Sequence, residues 1–282
     1  MKLWFSCMML WGCCANLAFM KQNVTENSNR ITENLDLGII NGREAKEGEF
    51  PWMVALYLND TYHCSSFLIS PTIVMTAAHC VQSNNVVEPA TAFYGIIGNI
   101  NREGPETRIQ FREVAAHPQY KNTASGYDIA VLRVSSPVEM IDLIQFICLP
   151  ESGKNFDLLY VQAMGWGRTS YNNKDAPKIL MTTKLSVLPI PICQSIDAFG
   201  GITVTDRNIC VYSSRPTGVC YGDSGSPAVY DDPMSGKPVA VGVASFGVEC
   251  GRPLVPSVYT RIASFIDWLK ETVDETNDIC FV

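Results

Sequence analysis

The chain has 282 residues, of which 47% are hydrophobic and 17% are charged, a balance that is typical of a folded protein and excludes a disordered one. The net charge of −7 disfavours nucleic acid as a partner, because nucleic-acid-binding surfaces are basic. Only three histidines occur, His63, His79 and His117, which disfavours a multi-histidine metal site.

The first 15 residues are predicted to be a secretory signal peptide. Lys2 precedes an apolar stretch over residues 3–20, and small residues favour cleavage after Ala15. The alternative is a signal anchor that stays in the membrane, but this stretch is barely long enough to span a bilayer and Asn16 interrupts it. We therefore expect a secreted, extracellular protein that leaves the membrane once its signal is removed.

Residues 16–38 are polar and rich in Asn, Glu and Thr, which is typical of a pro-segment. Two glycosylation sequons occur, at Asn23 in this segment and at Asn59 in the body of the chain. Three of the 11 cysteines lie in the expected signal peptide, so eight remain in the exported part. An even number of cysteines in an oxidising compartment favours disulfides over metal thiolates.

From Ile39 onward, short apolar or alternating runs follow one another, separated by Gly, Pro, Asn and Asp. Clear examples lie at residues 53–58, 129–132, 184–188 and 238–243. Many short strands with turn residues between them predict an all-β sandwich or barrel. The one clear helix is terminal, because apolar residues recur at helical spacing around Trp268, at Ile262, Phe265, Ile266 and Leu269.

Three segments contain residues suited to nucleophilic catalysis. His79 adjoins Cys80 at the end of an apolar strand, and Asp128 stands at the head of another. Ser224 lies between glycines in residues 222–227, where the backbone N–H groups of a tight turn can face a ligand. Taken singly, these are more often a structural histidine, a capping aspartate and an ordinary loop.

Together and in this order, the three segments resemble the chymotrypsin-like serine peptidases. The resemblance extends from Ile39 to about Leu269 and includes further matching segments at residues 39–42, 165–167, 245–247 and 256–261. It implies an all-β fold of two six-stranded antiparallel β-barrels with a C-terminal α-helix. The serine peptidase domain would cover residues 39–282, with the junction of the barrels near residue 150 and the catalytic residues between them.

The resemblance also implies the role of each residue. Ser224 would be the nucleophile and His79 its general base, while Asp128 would orient the imidazole. The backbone N–H groups of Gly222 and Ser224 would form the oxyanion hole. No metal or organic cofactor is implied, and the expected partners are protein or peptide substrates and protein inhibitors of a monomeric enzyme.

In the family, the pocket for the residue before the scissile bond has its base six residues before the nucleophile, which is Gly218 here. The other matching pocket residues are Ser245, Gly247 and Ser257. Gly218 offers no carboxylate to pair with Arg or Lys, and Ser257 adds a side chain where glycine is common. We therefore expect cleavage after apolar residues such as Leu, Met, Phe or Tyr, with small aliphatic residues as the alternative.

Two residues close to the expected site depart from the family pattern. Ser65 and Ser226 stand where the family has glycine. Glycine permits close backbone approach and unusual dihedral angles, so a serine could crowd the site. In the simpler interpretation both loops shift slightly and catalysis survives. The alternative function is a catalytically weak or inactive homologue that acts as a binding or regulatory module.

The resemblance implies a zymogen in which cleavage frees the amine of Ile39 to pair with Asp223. The residue before the expected cut is Gly38, which a trypsin-like activator would not recognise. Three possibilities remain open. The first is a cut after Arg30 followed by dipeptide trimming of residues 31–38, the second is an activator that accepts glycine, and the third is that no cleavage occurs.

The family pattern accounts for six of the eight cysteines as three disulfides, and two cysteines remain. We expect the remaining two to join the C-terminal tail to the segment near the barrel junction; the alternative is a disulfide-linked dimer. The three family pairs and the additional pair are Cys64–Cys80, Cys193–Cys210, Cys220–Cys250 and Cys148–Cys280.

Overall fold

The structure, a computed structural model, describes residues 38–105, 107–170, 176–196, 198–199, 201–273 and 278–282. The expected signal peptide, Asn23 and nearly all of the expected pro-segment lie outside these residues. Within the described ranges, no helix has the length and apolar character needed to cross a membrane.

Strands make up most of the described secondary structure. In chain order they are β1 (Arg43–Glu44), β2 (Met53–Leu58), β3 (Thr61–Leu68), β4 (Ile73–Thr76), β5 (Gln82–Ser83), β6 (Val86–Val87), β7 (Phe93–Ile97), β8 (Thr107–Ala116), β9 (Ala130–Val134), β10 (Tyr160–Gly165), β11 (Met181–Leu188), β12 (Asn208–Tyr212), β13 (Pro227–Asp232), β14 (Lys237–Phe246) and β15 (Ser257–Arg261). The α-helices are α1 (Ile190–Gln194) and α2 (Ile266–Thr272), and 3-10 turns cover Ala78–Cys80, Ala90–Ala92, Thr123–Ser125 and Ile262–Ser264. The short element Gly38–Asn41 is not counted as a helix, because Ile39 and Ile40 within it have non-helical dihedral angles.

The first six-stranded barrel is antiparallel and closes in the order β2-β3-β4-β9-β8-β7. Strand β2 pairs with β3 on one side and with β7 on the other, where Ala55 lies opposite Ile96. All but the last residue of β2 are buried, which explains why its sequence is continuously apolar rather than alternating. The short hairpin β5–β6 forms a separate two-stranded sheet.

The second barrel follows the order β11-β10-β13-β14-β15-β12 and closes because β12 also pairs with β11, with Cys210 opposite Leu188. Strand β1 adds to the outer side of β11. The two barrels confirm the expected all-β architecture of two six-stranded antiparallel barrels. Residue 150 lies in the connection between β9 of the first barrel and β10 of the second.

The two helices differ in how far the sequence predicts them. Helix α2 follows the apolar spacing around Trp268, and its buried residues pack into the core of the first barrel. Helix α1 was not predicted, because its five residues are too few to show a helical period. Its main sequence signal is a proline at the start of the helix, where the missing N–H has no intrahelical partner to lose.

The described cysteines form four disulfides, Cys64–Cys80, Cys148–Cys280, Cys193–Cys210 and Cys220–Cys250, which are the pairs stated above. The Cys148–Cys280 bond ties the C-terminus beside residue 149, whose N–H donates to the Cys280 carbonyl at 2.8 Å. It spans 132 residues, for which the chain-entropy model gives a stabilisation of about 4–5 kcal/mol.

Candidate active site

His79 and Asp128 are brought together by two neighbouring strands. His79 lies in the 3-10 turn directly after β4, and Asp128 lies two residues before β9, with Thr76 of β4 opposite Ala130 of β9. The imidazole Nδ1 is 2.7 Å from Asp128 Oδ2, and the backbone N–H of His79 donates to Oδ1 at 2.9 Å. The carboxylate therefore holds both the ring and the main chain of the histidine.

Asp128 is wholly buried, and its polar atoms are satisfied by residues far away in the sequence. The Ser245 hydroxyl donates to Oδ2 at 2.5 Å, and the Thr260 hydroxyl donates to the main-chain carbonyl of Asp128 at 2.7 Å. Burial lowers the pKa of His79, but the charge of Asp128 and the hydrogen bond to it raise the pKa above its ordinary value. The contact with Asp128 therefore stabilises the protonated form of the His79 imidazole.

Ser224 lies in the loop between β12 and β13, which packs against the first barrel. Gly225 has φ of 79°, and a Cβ there would lie only 2.1 Å from Thr76 Oγ1, so glycine alone fits. The Ser65 N–H donates to the Ser224 carbonyl at 2.9 Å. The loop is therefore held against β3 and the end of β4, the strand that leads into His79. Among the described residues, the Ser224 hydroxyl makes no hydrogen bond to the imidazole.

The backbone N–H groups of Gly222 and Ser224 are oriented by the carbonyls of their own peptide units. The Tyr221 carbonyl accepts from Arg168 N–H at 2.7 Å, and the Asp223 carbonyl accepts from Ser226 N–H at 3.0 Å. In a trans peptide the N–H points away from the carbonyl. Both N–H groups therefore point away from these partners. Gly222 has φ of 96°, a conformation that favours glycine.

Asp223 is buried, and its carboxylate accepts backbone N–H groups from Gly167 and Cys220, each at 2.8 Å. Burial raises its pKa to about 7, against the opposing effect of these hydrogen bonds. Among the described residues, no ion pair includes Asp223. Ile39 is fully buried, and Ile40 forms an antiparallel bridge with Gly218.

A cavity of about 200 Å³ opens beside Ser224. Three of the four expected pocket residues line it, namely Ser245, Gly247 and Ser257, and a Cβ on Gly247 would lie 3.5 Å from Ser257 Oγ. Gly218, expected at the base, is not among the lining residues, because it has no side chain and its backbone faces Ile40 instead.

Two lining residues were not predicted. Val219, the residue after Gly218, lines the cavity and is apolar. Glu249 also lines the cavity, and its carboxylate accepts from Arg252 Nη1 at 2.9 Å. The only sequence signal for a carboxylate at this cavity was the position of Glu249, one residue before Cys250. Cys250 is bonded to Cys220, which also lines the cavity.

The two serines that replace family glycines are both fully buried, and neither has a positive φ. Ser65 is accommodated within β3, where its hydroxyl lies 3.0 Å from the Tyr62 hydroxyl. Among the described residues, the Ser226 hydroxyl and the Tyr259 hydroxyl find no hydrogen-bond partner of normal geometry. Burial raises the pKa of Tyr259, while the interaction with Ser226 acts against that rise.

Within the described residues, one cluster has the composition of a metal site: Cys64, His79 and Cys80, whose potential ligand atoms lie within 4.8 Å of one another. The two sulfurs are bonded to each other in a disulfide. A metal binds the thiolate form of cysteine, so this cluster offers a metal only the imidazole.

Comparison with known proteins finds a family model and several relatives that match most of this chain. A family model described as Trypsin matches residues 39–269. The chain is 32% identical to the clotting factor G beta subunit of Tachypleus tridentatus over 244 residues, which cover 83% of this chain and 79% of that protein. It is 33% identical to transmembrane protease serine 11C of Mus musculus and 31% identical to transmembrane protease serine 7 of Rattus norvegicus. These matches cover 82% and 83% of this chain but 52% and 28% of those proteins.

Proposed function

Because the chain belongs to the trypsin family of serine peptidases, we propose that it is an endopeptidase whose nucleophile, general base and orienting acid are Ser224, His79 and Asp128. The bond from His79 Nδ1 to Asp128 leaves Nε2 as the ring nitrogen that can accept a proton. A serine hydroxyl is a poor nucleophile at neutral pH without such a base.

The reaction proceeds in two halves. Ser224 Oγ attacks the peptide carbonyl carbon while its proton passes to His79 Nε2, and the oxyanion accepts hydrogen bonds from the N–H groups of Gly222 and Ser224. Collapse of this intermediate breaks the C–N bond, and His79 gives the proton to the departing amine. Water then attacks the acyl-enzyme by the same steps and releases the acid, which restores the free serine.

The observation that best supports this proposal is the orientation of the two peptide units around Ser224. Both of their carbonyls bond away from the site, and neither N–H donates to a described residue, so both can donate to an oxyanion. Removing one such donor typically costs about 3–4 kcal/mol in the transition state.

Labelling with a fluorophosphonate tests the proposal. Only an activated serine reacts, so the chain cut between Gly38 and Ile39 is expected to take up one label, and peptide mapping is expected to place it on Ser224. A cut chain that remains unlabelled would instead favour the alternative, a binding or regulatory module.

We further propose that the chain is an exported zymogen. Disulfides persist in oxidising compartments, and Asn59 is exposed in the turn between β2 and β3, where a glycan can attach. Cleavage before Ile39 would supply a buried amine as a cationic partner for the Asp223 carboxylate. Sequencing the N-terminus of active enzyme tests this, because a start other than Ile39 would contradict it.

The buried Asp223 predicts how the stability of the uncut chain depends on pH. Its pKa rises from 3.8 to about 7 on folding, so the unfolded state releases the proton first as pH increases. The free energy of unfolding is therefore expected to fall between pH 4 and pH 7, by up to about 4 kcal/mol. Urea unfolding across this range measures the decline.

Asp223→Asn provides the control for this measurement, since it removes the titrating group and is expected to flatten the decline. In the cut chain the Ile39 amine can pair with the carboxylate, so the decline is also expected to weaken there. An uncut chain whose stability does not change over this window would contradict the assignment.

We also propose specificity for apolar residues before the scissile bond. The cavity is small, Val219 lines it, and the Glu249 carboxylate is already paired with Arg252. An Arg or Lys side chain would lose its hydration there without a free acidic partner. Peptide-library profiling is expected to show Leu, Met, Phe or Tyr, and a dominant preference for Arg or Lys would refute the prediction.

Ser257→Gly sharpens the test of specificity. Because the Ser257 hydroxyl faces Gly247 across the cavity, its removal enlarges the pocket. We expect kcat/KM for Phe and Tyr substrates to rise about tenfold relative to Leu substrates, since a small change in fit is worth about 1–3 kcal/mol.

A further inference from the structure

Two hydroxyl groups on β3 converge on one carbonyl of the loop that precedes Ser224. The Tyr62 hydroxyl donates to the Gly222 carbonyl at 2.7 Å. The Ser65 hydroxyl lies 3.0 Å from the Tyr62 hydroxyl and 3.4 Å from the same carbonyl. Tyr62 has one proton to donate, so Ser65 acts as the donor toward Tyr62, and the three groups form a chain that ends on Gly222.

The tyrosine ring is itself held on two sides. The Arg102 guanidinium carbon lies 4.7 Å from its centroid, and the ring of Tyr57 meets it edge-on at 5.8 Å. The Arg102 side chain is anchored in turn by the carbonyls of Pro177 and Ala176. Burial raises the pKa of Tyr62, so its hydroxyl keeps its proton through neutral pH and remains a donor.

Gly222 needs such an anchor because its backbone has the least restricted dihedral angles of any residue. The peptide unit before it is tied through the Tyr221 carbonyl to Arg168. The peptide unit after it is tied at both ends: its carbonyl accepts from Tyr62, behind which Ser65 lies, and the Asp223 N–H donates to the Cys220 carbonyl at 3.1 Å. With both units tied, the direction of the Gly222 N–H is determined.

We propose that Tyr62 and Ser65 are positioning residues that hold the Gly222 carbonyl and thereby maintain the Gly222 dihedral angles that direct its N–H, on the preceding peptide unit, toward the oxyanion. This inference depends on the proposed peptidase function. It also assigns a role to Ser65, which stands where the family has glycine. The serine adds a second hydroxyl to the chain that ends on the Gly222 carbonyl.

The kinetic test uses Tyr62→Phe, Ser65→Gly and the double variant in the chain cut before Ile39. We expect Tyr62→Phe to lower kcat about tenfold with KM changed less than twofold, because the oxyanion forms only in the transition state. Ser65→Gly alone should cost about two- to threefold, since Tyr62 keeps its bond. The double variant should approach a hundredfold loss, about the effect of losing one oxyanion donor.

Tyr57→Phe is the matched control, because it removes a hydroxyl from the same aromatic cluster whose bond goes to the Arg102 carbonyl, at 3.0 Å. It is expected to leave kcat within twofold of the unmodified enzyme. A loss as large as that of Tyr62→Phe would mean that the cluster matters only for folding, and would overturn the proposal. If Tyr62→Phe does not fold, Ser65→Gly decides.

Amide hydrogen exchange provides a measurement that does not require activity. The amide exchange rates of Arg168 and of residues 220–225 are expected to rise in Tyr62→Phe and in the double variant. The same rates are expected to stay unchanged in Tyr57→Phe. A cut, unmodified chain that neither labels nor hydrolyses peptides would refute the proposed function, and exchange alone would then decide the positioning role. Unchanged exchange in the double variant would overturn that role even in an active enzyme.

Discussion

Replacing Ser224 with alanine is expected to lower kcat by about 10⁴- to 10⁶-fold in the chain cut before Ile39, which is the loss typical of a serine-peptidase nucleophile. The hydroxyl forms the covalent intermediate, and no neighbouring group can replace it. The pocket and the free N–H groups remain, so KM should change little. Initial rates on an apolar peptide substrate, together with fluorophosphonate labelling, measure both effects.

Ser226→Ala is the matched control, because it removes a serine hydroxyl two residues further along the same loop. Among the described residues that buried hydroxyl makes no hydrogen bond of normal geometry and interacts only weakly with Tyr259, so its loss should leave activity nearly unchanged and change the free energy of unfolding by no more than about 1 kcal/mol. Substantial activity in Ser224→Ala would contradict the assignment of the nucleophile. A comparable loss in Ser226→Ala would show that the whole loop had been disturbed.

Asp128→Asn is expected to lower kcat by about 10³- to 10⁴-fold while leaving the fold intact. Asparagine can donate to His79 Nδ1, which stabilises the tautomer that carries its proton on Nε2. That nitrogen can then no longer accept the proton from Ser224. The amide also loses the negative charge that stabilises the imidazolium formed during the reaction.

The pH profile of kcat/KM provides a second measurement of the same pair. In the unmodified enzyme the pKa of His79 lies above its ordinary value, so activity should fall as pH drops through that raised pKa. In Asp128→Asn, burial dominates and the pKa of His79 falls, so the acid limb should move to lower pH. Ser245→Ala keeps the carboxylate charge and should retain the limb near its original position. An acid limb that stays in place in Asp128→Asn would contradict the control of His79 by Asp128.

The sequence by itself determined the features that depend on neighbouring residues. Continuous apolar runs such as 53–58 became buried strands, and the spacing around Trp268 became α2, because side-chain periodicity is a local property of the backbone. The order of His79, Asp128 and Ser224 within their short motifs was sufficient for the family resemblance, and the family model agrees with it.

The tertiary structure alone decided how those motifs are held. Ser245 reaches Asp128 across 117 residues, and Tyr62 reaches the Gly222 carbonyl across 160. No local pattern predicts such a pairing, because its geometry is set when the two barrels close. For the same reason Val219 rather than Gly218 lines the pocket. The side of a backbone that faces a cavity depends on the segment packed behind it, and the Gly218 backbone pairs with Ile40.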